Sequence, residues 1–256
     1  GEYAQEPAVQ LCKKLAALLP DPLETTYLLN SGTEAIEASI KLARRITGKS
    51  QIIAMKKAYH GNTMGSLSLM DYEERKAPFR PLIPDITHIN FNCLQDLKFI
   101  TQDAAAVIIE SIQGGAGFKI PSNLWMQQLS KRCKETDTLL IIDEIQPGVG
   151  RTGSMFYFTQ HHIVPDMVVT GKGLAGGLPI GALTTSKEHM SYFKEEPMLG
   201  HITTFGGHPV IAAAALATLT EIQRGVYLEQ MSRKEEHFRD ILQTRNIVDV
   251  RGTGCM

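Results

Sequence analysis

The sequence predicts an α/β fold, namely a three-layer sandwich in which helices cover both faces of a mostly parallel sheet. Two observations point to this class. Short apolar segments of strand length alternate with longer segments of helical periodicity along the 256 residues. Three of the apolar segments are hydrophobic at every position, which is typical of strands buried on both faces of a parallel sheet. They cover residues 105–109, 139–142 and 167–169.

Helices and strands alternate from the beginning of the chain. A helix over 3–19 has apolar residues near helical spacing and stops at Pro20, with Pro7 suited to its first turn. A turn at 30–34 leads into a helix that ends near Gly48. The other elements predicted in this part are strands at 27–29, 51–55 and 86–90, a helix after the polar loop 57–63, and a helix near 94–100.

The alternation continues through the rest of the chain. Ser122 is a good N-cap for a helix over 123–135, and Pro209 opens a long Ala-rich helix. A more charged helical register follows over 229–245. Besides the three buried segments, strands are expected at 180–184 and 248–250.

Composition excludes several classes of partner. The formal net charge of −1 provides no basic surface for nucleic acid. No apolar run approaches the roughly 18 residues that a membrane span requires, and the N-terminal segment has no signal-peptide pattern. The four cysteines are scattered and form no CxxC pair, so we expect reduced thiols and a cytoplasmic protein without nucleic-acid or membrane partners.

Three chemically reactive side chains stand where the buried strands end. Glu110 follows the segment 105–109, and Asp143 follows 139–142. Lys172, with a glycine on each side, lies just past 167–169. Because ligands of open parallel sheets bind at the carboxyl edge of the strands, we expect these side chains to share one site.

The residue types at this edge suit pyridoxal phosphate. A lysine among glycines can be approached closely by a planar aldehyde, and an aspartate is the usual partner of a pyridinium nitrogen. Ser31, Gly32 and Thr33 at a helix N-terminus offer N–H groups and hydroxyls to a phosphate. Tyr59, in a loop after a strand, could stack on the ring.

Six motifs in order along the chain resemble those of the class III, pyridoxal-phosphate-dependent aminotransferases, a group that includes ornithine, acetylornithine and 4-aminobutyrate aminotransferases. The resemblance extends from about residue 27 to residue 209. The motifs are Ser31-Gly-Thr-Glu-Ala35, Tyr59-His-Gly61, Glu110-Ser-Ile-Gln-Gly114, Asp143-Glu-Ile-Gln146 with Gly150-Arg-Thr-Gly153, Thr170-Gly-Lys172, and Thr203-Thr-Phe-Gly-Gly207.

The resemblance implies a fold-type-I large domain and a homodimer. Residues 1–225 would form the cofactor-binding large domain. Residues 226–256 would begin a C-terminal small domain that is largely missing, so the chain would be a truncated form of a longer protein. The implied activity is transfer of an amino group from a terminal-amine donor, such as ornithine, acetylornithine or 4-aminobutyrate, to a 2-oxo acid such as 2-oxoglutarate.

The resemblance also implies a role for each site residue. Lys172 would be the catalytic Schiff-base lysine, and Asp143 would hold the pyridine nitrogen. Gln146 would bond the phenolic oxygen of the cofactor, and Thr204 would reach the phosphate bound by a neighbouring subunit. Gly32 and Thr33 would hold the phosphate, Tyr59 would stack on the ring, and Glu110 would be an acid near the pyridine end. No metal ligand set is expected.

Some alternatives stay open at this point. Many members of the group carry a proline after the first glutamate of the third motif and a second glutamate after Gln-Gly; this chain has Ser111 and Gly115 there. The resemblance therefore does not extend to that glutamate's control of two alternating substrates. Ser31 is also adequate as an ordinary N-cap, Tyr59 as a core aromatic, and His60 as a structural histidine. Aminomutase or decarboxylating transaminase activity, or a non-catalytic fragment, are the remaining functional alternatives.

Overall fold

The strands of the computed structural model form one sheet, and the model describes residues 3–194, 196–198, 200–243 and 246–256. The sheet has seven strands in the order β1-β7-β6-β5-β4-β2-β3. They are β1 (Thr25–Leu29), β2 (Gln51–Met55), β3 (Ile86–Ile89), β4 (Ala104–Glu110), β5 (Leu139–Asp143), β6 (Met167–Gly171) and β7 (Gly181–Thr185). β7 is antiparallel to both of its neighbours, β1 and β6, whereas the pairs β6·β5, β5·β4, β4·β2 and β2·β3 are parallel.

Nine α-helices lie in the described part of the chain. They are α1 (Glu6–Leu18), α2 (Gly32–Thr47), α3 (Met64–Ser68), α4 (Glu73–Lys76), α5 (Asn123–Glu135), α6 (Lys187–Ser191), α7 (Pro209–Gln223), α8 (Val226–Glu229) and α9 (Met231–Leu242). Short 3₁₀ helices cover Ala77–Phe79, Leu94–Phe99, Tyr157–His161 and Lys172–Ala175. None of the described helices is long and apolar enough to cross a bilayer.

Local sequence accounts for the ends of the longer helices. The Ser31 hydroxyl accepts the Glu34 N–H at 3.3 Å and caps α2, which ends at Gly48 in the left-handed region with φ 67°. The Ser122 hydroxyl accepts the Trp125 N–H at 3.2 Å and caps α5. These caps satisfy N–H groups that have no partner within the helix.

Two hydrophobic cores, one on each face of the sheet, make the molecule a three-layer sandwich. Leu140 and Ile142 of β5 contribute to a core that includes side chains of α1, α5 and α7. Ile141, between them, contributes to a second core that includes the apolar face of α2. Because alternate residues of one strand enter different cores, helices cover both faces, and the predicted α/β sandwich with a mostly parallel sheet is confirmed.

The structure corrects two of the element predictions. The segment near 94–100 is a 3₁₀ helix rather than an α-helix. The strand predicted at 248–250 is wrong, because Val248 is 100% exposed and these residues pair with no described strand. The register predicted over 229–245 forms α9 after a break at Gln230, and Arg245 lies outside the described residues.

Candidate active site

The carboxyl ends of β4, β5 and β6 carry three of the predicted site residues. Glu110 and Asp143 are register partners on the adjacent strands β4 and β5. Asp143 is in turn the register partner of Val169 on β6. Lys172 is the first residue after β6, is exposed, and has φ 45° in the left-handed region. The parallel register therefore places both carboxylates and the lysine at one edge of the sheet.

The carboxylate of Asp143 is held from two sides. It is only 3% exposed; Oδ1 accepts the Ile145 N–H at 2.9 Å, and Oδ2 lies 2.8 Å from His60 Nδ1. Burial lowers the pKa of His60, but the hydrogen bond to Asp143 and the charges of Asp143 and Glu110 raise it above its ordinary value. His60 Nε2 is buried and has no hydrogen-bond partner among the described residues. Asp143 is thus fixed in direction, and each of its oxygens retains a lone pair for another donor.

Glu110 joins two loops that border the site. Its Oε2 accepts the Tyr59 N–H at 3.1 Å, and its Oε1 accepts the Gly114 N–H at 3.3 Å. The pKa of Glu110 is raised to about 7: burial and the charge of Asp143 raise it, and His60 and the two N–H groups lower it by less. Glu110 therefore acts on the loops around the site.

The turn at the start of α2 lies against the ends of β5 and β6. A Cβ placed on Gly32 would come within 2.7 Å of Ile145, and one on Gly171 would lie 3.5 Å from the Gly32 Cα. The first N–H groups of α2, those of Gly32 and Thr33, have no acceptor within the helix and can bind an anion. The Thr33 hydroxyl contacts the hydroxyls of Thr63 and Ser66, each at 2.7 Å. The Ser31 hydroxyl is used as the helix cap, as the simpler interpretation proposed.

Tyr59 and Gln146 lie next to the loop residues Gly115 and Gly114, respectively. Tyr59 is 38% exposed, and a Cβ on Gly115 would lie 3.5 Å from the Tyr59 Cβ. A Cβ at Gly115 would therefore make an ordinary van der Waals contact with Tyr59. The Gln146 side chain lies directly against Gly114, where a Cβ would collide with its Oε1. The partial exposure of Tyr59 argues against a purely core role.

Thr204 lies in the segment that precedes α7. It is exposed and lines a cavity together with Asn30, Glu34 and Phe205, so this cavity borders the phosphate turn 31–33. The resemblance assigns Thr204 to the phosphate bound by a neighbouring subunit, and this role stays a prediction.

Two buried residues were underestimated from sequence. The sequence allows His60 an ordinary structural role, whereas the structure places its Nδ1 in hydrogen-bond contact with Asp143. Glu144 was not singled out, yet it is fully buried and accepts the N–H groups of Tyr157 and Phe158. Burial raises the pKa of Glu144 to about 7. Both could have been found from the sequence as titratable residues directly beside a predicted site residue, because His60 follows Tyr59 and Glu144 follows Asp143.

The site fits pyridoxal phosphate. A buried carboxylate with spare lone pairs suits a pyridinium nitrogen, and the α2 N-terminus suits a phosphate. The glycine at position 171 lets the end of β6 approach Gly32, so the phosphate turn and Lys172 are close. Tyr59 is exposed at the rim as a ring-stacking group would be. Among the described residues, no group of three or more metal-ligating side chains could hold a metal ion.

Comparison with known proteins agrees with this geometry. The family described as Aminotransferase class-III matches residues 1–256. The [LysW]-aminoadipate semialdehyde/glutamate semialdehyde transaminase of Sulfolobus acidocaldarius is 40% identical over 96% of the chain and 64% of its own length. The acetylornithine aminotransferase of Methanopyrus kandleri is 38% identical over 99% of the chain and 65% of its own length. The chain thus spans less than two thirds of the length of these relatives.

Solved structures show the same fold. The ornithine aminotransferase of Toxoplasma gondii, with pyridoxal phosphate at partial occupancy in its active site, superimposes with a TM-score of 0.90 at 26% identity. That match covers 98% of this chain and 62% of the other. An adenosylmethionine-8-amino-7-oxononanoate aminotransferase from Methanocaldococcus jannaschii gives a TM-score of 0.88 at 31% identity, over 98% and 64%. With the family match over its full length and the geometry above, the chain belongs to the class-III aminotransferase family.

Proposed function

We propose that this chain is the cofactor-binding part of an aminotransferase. It would move an amino group from a donor with a terminal amine to a 2-oxo acid, with 2-oxoglutarate as acceptor. The observation that carries the proposal is the placement of Asp143 and Lys172 at the ends of the neighbouring strands β5 and β6, beside the N-terminus of α2. Pyridoxal phosphate, when bound, supplies an electron sink for the carbanion that forms at the donor carbon.

Several residues of this chain would hold the cofactor, and Lys172 would transfer the proton. Asp143, oriented by His60, would hold the ring nitrogen, and the first N–H groups of α2 would hold the phosphate. Tyr59 would cover one face of the ring. Gln146, which lies against Gly114, would donate to the phenolic oxygen. The Nζ of Lys172 would hold the cofactor aldehyde until the donor amine displaces it, and the freed amine would then take a proton from the donor carbon.

The names of the relatives support the donor class. Two are acetylornithine and aminoadipate or glutamate semialdehyde transaminases, and a putrescine aminotransferase of Pectobacterium atrosepticum is 37% identical over 96% of the chain. Each of these names implies an amine at the end of an aliphatic chain. Ornithine, acetylornithine and 4-aminobutyrate are therefore the first donors to test.

The proposal extends to architecture and assembly. Residues 1–225 would form the large domain, and 226–256 would begin the small domain. Two copies would form a homodimer in the cytoplasm, in which Thr204 of one copy reaches the phosphate site of the other. Thr204, Ile202 and Phe205 are exposed in the single chain. This exposure supports the proposal, because a second copy could cover these side chains.

The first test is spectroscopic. The full protein is mixed with pyridoxal phosphate, and excess donor amines are then added one at a time. We expect a visible absorption band that shifts with one donor, and formation of the matching oxo product, which distinguishes transamination from rearrangement or loss of carbon dioxide.

The decisive variant is Lys172→Ala. It should lose the band and lower turnover by a factor of at least 10⁴, because the group that binds the aldehyde and transfers the proton is gone. Lys187→Ala, which removes an exposed lysine at the start of α6, is the matched control and should behave as wild type. Turnover by Lys172→Ala at the wild-type rate would overturn the proposal.

A further inference from the structure

Glu144 is a buried carboxylate just past the end of β5. It directly follows Asp143 and is 0% exposed. Its Oε2 accepts the Tyr157 N–H at 3.0 Å, and its Oε1 accepts the Phe158 N–H at 2.8 Å. Both oxygens are therefore engaged by the backbone of a segment thirteen and fourteen residues further along the chain.

The backbone of Glu144 is held as firmly as its side chain. Its N–H donates to Val169 O on β6 at 2.8 Å, and its carbonyl accepts the Gly148 N–H at 3.0 Å. Gly148 approaches so closely that a Cβ there would lie 2.5 Å from the Glu144 carbonyl and 3.1 Å from its Oε2. Glu144 is thus the point at which β6, the turn after β5 and the 3₁₀ helix Tyr157–His161 meet.

The segment closed by Glu144, residues 145–156, forms one wall of the site. Gln146 in this segment lies against Gly114. Ile145 contacts Gly32, and Val149 faces Gly173, the residue after Lys172, with 3.9 Å between the Val149 Cβ and a Cβ placed on that glycine. Movement at the base of this segment would therefore be transmitted to the phosphate turn, to Gln146 and to the support beside Lys172.

We infer that Glu144 is a positioning residue, which places Gln146 and Val149 by fastening both ends of segment 145–156 with one buried carboxylate. The inference rests on the proposed function, since it concerns the same site. A carboxyl group is suited to the task because its two oxygens accept two N–H groups at once. A glutamine has one acceptor oxygen, and its NH₂ would face the second N–H.

The experiment compares Glu144→Gln with wild type in the full protein, loaded with pyridoxal phosphate. We expect affinity for the cofactor to fall about 10- to 100-fold, because small misplacements of groups around a reacting centre have effects of this size. The pH midpoint of the visible absorption band should move by about half a unit or more, since Gln146 would no longer bond the phenolic oxygen well. Amide exchange at Tyr157 and Phe158 should accelerate in the cofactor-free protein.

Two further variants keep the test decisive. Asp166→Asn is the matched control, because Asp166 accepts the Leu140 N–H at 2.7 Å but precedes β6, at the opposite edge of the sheet. It should lower stability without moving the midpoint of the band. Gly148→Ala should reproduce the Glu144→Gln phenotype, because its new methyl group would press on the Glu144 carbonyl. It replaces Glu144→Gln in the test if that variant does not fold.

The outcomes separate the two proposals. Glu144→Gln and Gly148→Ala could both keep the band midpoint and the cofactor affinity of wild type while Lys172→Ala still abolishes the band. That result would overturn the role of Glu144 alone. A wild-type protein that forms no lysine-dependent band would overturn the proposed function. The amide exchange at Tyr157 and Phe158 would still show whether Glu144 fastens the segment.

Discussion

Carboxyl groups are unusually crowded at the ends of β4 and β5. Glu110 and Asp143 are register partners, and Glu144 follows in sequence. Burial raises the pKa of both glutamates to about 7, and the charge of Asp143 contributes to each shift. His60 offsets part of this negative charge. Burial lowers its pKa, but the hydrogen bond to Asp143 and the charges of Asp143 and Glu110 raise it above its ordinary value.

This crowding predicts a stability that falls as pH rises. The folded protein holds protons on Glu110 and Glu144 more tightly than the unfolded chain does, so their contribution is complete below the ordinary glutamate pKa near 4.5 and is lost as pH rises through about 7. The raised pKa of His60 acts in the same direction. We expect the free energy of unfolding to be roughly 2–5 kcal/mol lower at pH 8 than at pH 5.

Glu110→Gln should remove about half of this pH dependence, because a neutral amide carries no proton that titrates in this range. Urea unfolding at pH 5 and pH 8 measures the effect. Glu135→Gln, which changes an exposed carboxylate at the end of α5, is the control and should leave the difference as in wild type. A pH dependence in Glu110→Gln equal to that of wild type would show that Glu110 is not its source.

Only part of this site could be predicted residue by residue. Lys172 and Asp143 were predictable because each follows an apolar strand, and strand ends in a parallel sheet share an edge. The way in which Glu110 holds Tyr59 and Gly114 was not, because it depends on three loops converging in space. The same holds for Glu144, whose partners Tyr157 and Phe158 lie in a segment with no periodicity.

Among the elements, the reversed strand β7 has the clearest effect on the site. The amino end of β7 lies beside the carboxyl ends of β1 and β6. Gly181, the first residue of β7, therefore pairs with both Leu29 and Gly171. A Cβ on Gly181 would collide with the carbonyl oxygen of Ser31 and lie 3.2 Å from the Gly32 N. The phosphate turn therefore depends on a glycine that is distant in sequence.

Gly181→Ala should weaken both the fold and cofactor binding. The methyl group would meet backbone atoms, which cannot rotate away, so we expect a loss of about 1–3 kcal/mol of stability and a cofactor affinity at least tenfold lower. Thermal unfolding and a cofactor titration measure the two effects. Gly48→Ala, at the left-handed end of α2 with no atom within 4 Å, should cost about 1 kcal/mol and leave affinity unchanged. Equal affinities in the two variants would contradict the role of Gly181.

Element prediction succeeded where sequence patterns were local. The bounds of β2 and α5 agree with those expected from periodicity and from the Ser122 cap. It failed at 248–250, where a β-rich composition pairs with none of the described strands. Strand formation requires a partner strand that local sequence does not specify. This explains why the prediction was correct for β2 and α5 but wrong for 248–250.

At the scale of the whole molecule, the exposed segment 202–205 matters most. Ile202 and Phe205 are 65% and 66% exposed on either side of Thr204. In the proposed homodimer, these residues would lie at the interface, and each site would combine Lys172 of one copy with Thr204 of the other. The sequence could suggest this arrangement only through resemblance, because no contact within one chain reports on it.

Subunit complementation tests the shared site. Thr204→Glu should weaken cofactor binding at least tenfold, because its carboxylate would repel the phosphate. When Thr204→Glu and Lys172→Ala chains are co-expressed, half of the dimers are mixed and each contains one intact site, so activity should return to about a quarter of wild type. Each variant expressed alone is the control. Activity no higher than the sum of the controls would show that Thr204 does not act across subunits.

The place of β1 at the edge of the sheet also governs when the site can form. Among the described strands, β1 pairs with β7 alone, and its partners Gly181–Thr185 are synthesised more than 150 residues after Thr25–Leu29. On the ribosome, at roughly 5–20 residues per second, the N-terminal segment therefore waits on the order of ten seconds for its neighbour. Until β7 emerges, β1 lacks its partner strand and the start of α2 lacks its packing against Gly181. The nascent chain thus becomes able to bind a phosphate ligand late in its synthesis.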